Sequence, residues 1–129
     1  MTTGTNENGD SRPIAIQALD AGWDVWLGNK RGTRFSSKHD RLKINDPRYW
    51  NFDWSEMGVY DVPTNINKVL SVATDYSKVN YIGYSQGTSQ MFYSLSHKSD
   101  FLKEKLNMFS ALAPCSRMKY SNDIMLRVG

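Results

Sequence analysis

Five residues have the types and spacing for nucleophilic chemistry: Gly83, Tyr84, Ser85, Gln86 and Gly87. A serine flanked by glycines two residues away on each side is the pattern of a nucleophile elbow. In such a turn the serine backbone is strained and its hydroxyl stands clear of the sheet. Side chains at 83 and 87 would collide with the flanking strand and helix, which glycine avoids. A helix starting at the serine turns its positive end toward the negative charge of a tetrahedral intermediate. The bare motif is a weak signal, and its other reading is a glycine-flanked turn without chemistry. The flanks strengthen it, because the apolar run Val79–Ile82 precedes the motif and a helical stretch from Thr88 to Ser96 follows it.

A serine hydroxyl is a poor nucleophile until a base takes its proton, and the base needs an orienting carboxylate. Behind an elbow of this kind the order is Ser, then Asp or Glu, then His. Only His97 follows Ser85, and Gln86 to Ser96 contains no acid. Twelve residues along one helix is about 18 Å, against a hydrogen-bond reach of roughly 3 Å. His97 therefore reads as a helical surface residue. His39 precedes the serine within a basic loop and reads as a loop residue.

The elements that must position Ser85 fit one domain. The chain has 129 residues, 40% hydrophobic and 22% charged, which suits a folded domain rather than wholesale disorder. A net charge of +3 does not by itself imply a nucleic-acid partner. The lone Cys115 cannot form an internal disulfide and is expected to be a small buried hydrophobe. No apolar run has the length of a membrane span, Met1–Asp10 is too polar for a secretory signal, and no Asn-x-Ser/Thr sequon occurs.

Met1–Asp10 is expected to be disordered, with a domain over residues 11–129. Ser11 reads as a helix cap ahead of Pro13, Ile14 to Leu19 as a helix, and Gly22 as its stop. Trp23–Leu27 reads as a buried strand ended by Gly28. Asn29–Asn45 is loop-like and carries Lys30, Arg31, Arg34, Lys38, Arg41 and Lys43 against Asp40. It offers a contact for phosphate or an anionic lipid surface. A solvated loop is the preferred reading, since no aromatic ladder for single-stranded nucleic acid is interleaved. Asp53 and Glu56 have capping-box spacing ahead of a turn through Met57 and Tyr60. Asp61 reads as the cap of the next helix, with Pro63 near its start and Ile66, Val69, Leu70 and Ala73 on its apolar face. Met91, Phe92 and Leu95 mark the apolar face after the elbow, Phe109–Ala113 reads as the last strand, and Arg117–Gly129 is ambiguous. The α-β-α-β-α-β order predicts an α/β fold with a parallel sheet, its ligand at the carboxyl ends of the strands.

Several segments carry a resemblance. Ala21 to Gly32, AGWDVWLGNKRG, resembles the "AGYDVWLGNxRG" of the acid lipases, the gastric and lysosomal group of α/β-hydrolases. Trp50–Pro63 looks like that family's "FWxFSFDEMAxYDLP", Tyr81–Thr88 like its "YVGHSQGT", and Ala111–Pro114 like its "ALAP". The segments keep the family's order and spacing from roughly Ser11 to Tyr120, the middle of a typical member. One departure is Tyr84, where the family usually has His.

The resemblance implies a partial α/β-hydrolase fold and a serine ester hydrolase acting on neutral lipids, triacylglycerols or cholesteryl esters. Ser85 matches its nucleophile, and Gln86 the residue whose backbone N–H serves the oxyanion hole. It implies a lysosomal or secreted setting and no cofactor or metal. The family's triad Asp and His and its His-Gly oxyanion segment have no match here. That segment's strand lies between those placed at Trp23 and Val79, so these two are expected to leave a gap or pair directly. Long apolar edges left this way are an aggregation hazard. The chain is thus expected to be a central piece of a larger hydrolase. A hydrolase-shaped lipid- or partner-binding relic, and an esterase or thioesterase with another acyl substrate, stay open.

Overall fold

The computed structural model describes residues 3–5 and 11–116. Thr3–Thr5 (β1) pairs antiparallel with Ser11–Pro13 (β2). Part of the stretch expected to be disordered is therefore paired, and Ser11 lies in a strand rather than at a helix cap. The helix α1 runs Ile14–Asp20 behind Pro13, without a side-chain cap. Its end is the expected one. Gly22 takes φ 85°, Gly22 N–H bonds Leu19 O and Trp23 N–H bonds Ala18 O, each at 3.0 Å. This pair of bonds closes a Schellman motif on a residue that only glycine adopts cheaply.

Trp23–Leu27 is not a strand. It pairs with no strand among the described residues, and Trp23 and Leu27 are 59% and 75% exposed. Its aromatic and β-branched composition makes it strand-like, but a strand needs a partner to satisfy its backbone. The neighbouring space toward Val79–Tyr84 is an open cleft. Of the two outcomes expected for these segments, the structure has the gap.

A 3-10 turn spans Pro47–Trp50, with the Asp46 carboxylate accepting from Arg48 N–H at 2.9 Å. Next comes one continuous helical stretch: Trp54–Glu56 (α2), a π-helical turn Met57–Asp61, and Val62–Val72 (α3). The expected capping box opens it. Asp53 Oδ1 accepts from Ser55 N–H at 2.7 Å, and Glu56 Oε2 accepts from Asp53 N–H at 3.0 Å. Asp61 caps nothing, because the helix passes through it without a break. Pro63 brings no N–H to the ladder, and the wider turn lies immediately before it.

Val79–Tyr84 (β3) and Leu106–Leu112 (β4) pair in parallel, joined by Gln86–His97 (α4) and Ser99–Lys105 (α5). The observed β4 starts before the expected Phe109 and stops before Ala113. Val62, Ile66, Met91 and Leu102 form the buried core, with Leu70, Val79, Tyr81, Phe101, Leu106 and Phe109 packed against it. Of the face expected on α4, Met91 is buried as expected but Phe92 and Leu95 are not. Thr88, Met91 and Ser94 are fully covered, whereas Phe92 and Leu95 stay 38% and 37% exposed. Phe92 still meets Phe109 edge-on at 5.3 Å. Residues 117–129, including the ambiguous Arg117–Gly129 stretch, lie outside the described residues.

Candidate active site

The site begins with a backbone angle. Ser85 joins β3 to α4 with φ 50° and ψ −118°, a conformation L-residues rarely adopt. Its N–H bonds Leu112 O at 3.0 Å, and its carbonyl accepts from Thr88 N–H at 2.9 Å and Thr88 Oγ1 at 2.6 Å. Strain of this kind costs about 1–3 kcal/mol and survives only where the surroundings over-determine it. A Cβ on Gly83 would lie 2.9 Å from Gly87 O and 3.0 Å from Gly87 C, whereas one on Gly87 would meet only Tyr81 Oη at 3.9 Å. The steric demand at the turn thus falls on Gly83 and not equally on both glycines.

Ser85 is half-buried at one end of a cleft of about 1230 Å³. The cleft lies between residues 21–30, α3 and the edge of β3 that β4 does not cover, with Trp23, Leu27, Val69 and Ile82 on its apolar walls. Arg31 fixes the loop that closes it. Its backbone N–H, Nε and Nη2 donate to the Asp61 carboxylate at 2.8, 2.9 and 2.7 Å. The guanidinium also lies 5.7 Å from the Phe52 ring centroid and 5.6 Å from that of Tyr60. Asn65 Nδ2 adds bonds to Asn29 O at 3.2 Å and Asp61 O at 2.8 Å. The loop so held brings Lys30 Nζ to Gln86 Oε1. Burial pushes the Lys30 ammonium below its usual pKa, and the Asp61 charge partly offsets this.

Among the described residues, no His, Asp or Glu side chain hydrogen-bonds Ser85 Oγ. His97 ends α4, contacts Tyr93 O at 3.1 Å and stacks on the Tyr93 ring at 4.0 Å. His39 Nδ1 accepts from the N–H groups of Arg41 and Leu42 in its own loop. The side chain that approaches Ser85 Oγ, among the described residues, is Cys115, its Sγ 3.9 Å away. Cys115, expected to be a small buried hydrophobe, is half-buried. Its N–H donates to Thr88 Oγ1 at 3.0 Å and its carbonyl accepts from Ser89 Oγ at 2.6 Å. A usable signal existed, because parallel neighbouring strands end at the same edge of a sheet. With Tyr84 opposite Leu112, whatever follows β4 lies beside whatever follows β3. Among the described residues no cluster of three metal-ligating side chains forms, and no helix is long and apolar enough to cross a membrane.

A strained serine between a strand and a helix, with a parallel crossover behind it, is now joined by a likeness in sequence. Residues 2–127 match the family described as alpha/beta hydrolase fold. The chain belongs to that family. Within it, lipase member K of Mus musculus is 39% identical over 115 residues, covering 89% of this chain and 28% of the relative. Lipase lipl-3 of Caenorhabditis elegans is 46% identical over 100 residues, covering 78% and 24%. The putative lysosomal acid lipase/cholesteryl ester hydrolase of Crotalus adamanteus is 38% identical over 122 residues, covering 95% and 30%. The chain therefore spans about a quarter of the length of the curated relatives it matches. The acid-lipase resemblance and the partial α/β-hydrolase fold expected from the sequence both hold.

Proposed function

We propose that this α/β-hydrolase chain carries the nucleophile region of a serine ester hydrolase acting on neutral lipid esters, triacylglycerols or cholesteryl esters. Ser85 Oγ attacks the ester carbonyl, and the Gln86 backbone N–H faces the developing oxyanion. The carbonyl carbon gains the Oγ bond and loses its alkoxy group, which leaves as the alcohol with the proton taken from Ser85. Water then hydrolyses the acyl-enzyme. The base and its carboxylate come from chain outside these 129 residues. The observation that carries this reading is the φ of 50° at Ser85, held at one end of a cleft walled in part by apolar side chains. The relatives' names, lipase and cholesteryl ester hydrolase, support a lipid ester as the substrate.

The lack of an acid–base partner for Ser85 among the described residues favours a second reading, a hydrolase-shaped module that binds lipid without turning it over. A serine-directed fluorophosphonate separates the two. Labelling of the purified chain that disappears in Ser85→Ala supports an activated nucleophile. A folded chain that takes no label supports the binding module.

A further inference from the structure

We propose that the loop between Gly32 and Trp50 is a docking surface for an anionic lipid surface. Charge is the first observation. This stretch holds five cations (Arg34, Lys38, Arg41, Lys43 and Arg48) against two acids (Asp40 and Asp46), an excess of three. The whole chain has a net charge of +3, so all of its excess resides in this loop. Arg48 is committed to Asp46 at 2.7 Å. Arg34, Lys38, Arg41 and Lys43 are exposed and form no ion pair among the described residues.

An apolar tip is the second observation. Phe35 is 81% exposed, more than any other large hydrophobic side chain described, and the Arg34 guanidinium lies 5.8 Å from its ring centroid. Ile44 and Trp50 are 52% and 48% exposed. Cations beside exposed aromatic and aliphatic groups suit the boundary between lipid headgroups and acyl chains. A single-stranded nucleic acid would stack successive bases on a ladder of aromatics, whereas here the exposed Phe35 is joined by the aliphatic Ile44.

The loop is also built in advance. Buried Tyr49 donates its hydroxyl to Ser37 O at 3.0 Å, and Trp50 Nε1 donates to Ile44 O at 2.8 Å. Gly32 N–H bonds Ser36 O at 3.0 Å, and His39 Nδ1 ties down the turn at Arg41 and Leu42. A loop already ordered loses little entropy on docking. These braces, which the sequence does not display, turn a solvated loop into a platform. Thr33 and Ser36 of the same loop line the cleft that holds Ser85. Docking thus brings the cleft to the lipid phase. The surface fits the lipid-ester reading but does not depend on Ser85 chemistry.

The test is sedimentation of the purified full chain with vesicles of phosphatidylcholine, with and without phosphatidylserine. Binding is expected only with phosphatidylserine and is expected to fall as salt rises. Each of Lys38→Gln, Arg41→Gln and Lys43→Gln weakens it about fivefold. Phe35→Ser weakens it about tenfold at any salt. Ser85→Ala binds like the native chain, so a failure of the hydrolase reading leaves this result untouched. Circular dichroism identifies any variant that has lost its fold. Equal binding to neutral vesicles, no binding to either, or unchanged binding by the folded Gln variants overturns the proposal. Tighter binding to a single-stranded oligonucleotide than to anionic vesicles overturns it as well.

Discussion

Ser85 Oγ and Cys115 Sγ stand 3.9 Å apart, brought together by the parallel ends of β3 and β4. This yields a test that needs no catalysis. Ser85→Cys places a second thiol opposite Cys115, and side-chain rotation closes the remaining gap to a bond of about 2.05 Å. Mild oxidation is expected to remove both free thiols in a monomeric product. A cross-link over such a loop raises stability by about 3–4 kcal/mol in the chain-entropy account. Two titratable thiols after oxidation would contradict the placement of the residues that follow β4.

The two glycines of the elbow are predicted to differ. Gly83→Ala forces a Cβ to within 2.9 Å of Gly87 O and should lower stability by about 2 kcal/mol or prevent folding. Gly87→Ala meets nothing closer than 3.9 Å and lies inside α4, so it should be neutral or stabilising by up to about 1 kcal/mol. Urea unfolding of both variants decides the matter. Equal losses would show that the demand is symmetric after all.

Arg31 and Asp61 anchor the loop that closes the cleft. Their side chains are 33% and 13% exposed, so this pair is shielded far more than the surface pairs. Asp61→Ala strands a guanidinium among Phe52 and Tyr60 and should cost about 2–3 kcal/mol. Asp61→Asn keeps an acceptor oxygen and should cost less. A double-mutant cycle with Arg31→Met, read by urea midpoint, is expected to return a favourable coupling. A coupling near zero would reduce the pair to surface decoration.

The capping box carries a pH signature. Hydrogen bonds from the Ser55 side chain, then from its backbone, hold the Asp53 carboxyl below its ordinary value of 3.8. The folded chain therefore prefers the ionised form. That stability is present above the unfolded value and is lost as pH falls through the lower folded one. Asp53→Ala should cost about 1 kcal/mol near neutrality. The penalty should shrink as acid protonates the native carboxyl. A cost that stays constant across the acid range would assign the effect to helix geometry rather than charge.

What the sequence made legible was local. The elbow, the capping box at Asp53 and Glu56 and the stop at Gly22 each depend on residues within a few positions. What it hid was long-range. Trp23–Leu27 has strand composition, yet pairing is a property of the neighbour and no local pattern reveals whether one is there. Asp61 sits at a plausible cap position, but its partner Arg31 lies 30 residues upstream. On α4, Phe92 and Leu95 lose burial to Thr88 and Ser94, because the helix turns toward the core the face that follows from its start at the elbow.

The parallel pairing between β3 and β4, the one such pairing among the described residues, has a kinetic consequence. Partners such as Val79 and Leu106 are joined only through α4 and α5, and Met91 and Leu102 complete the core only against Val62 and Ile66 of α3. Closing so long a crossover costs entropy before the pairing rewards it, so the two strands are expected to join late in folding, together with the core rather than ahead of it. Amide hydrogens of β3 and β4 should be the last to exchange with solvent, and those of Trp23 to Leu27 among the first.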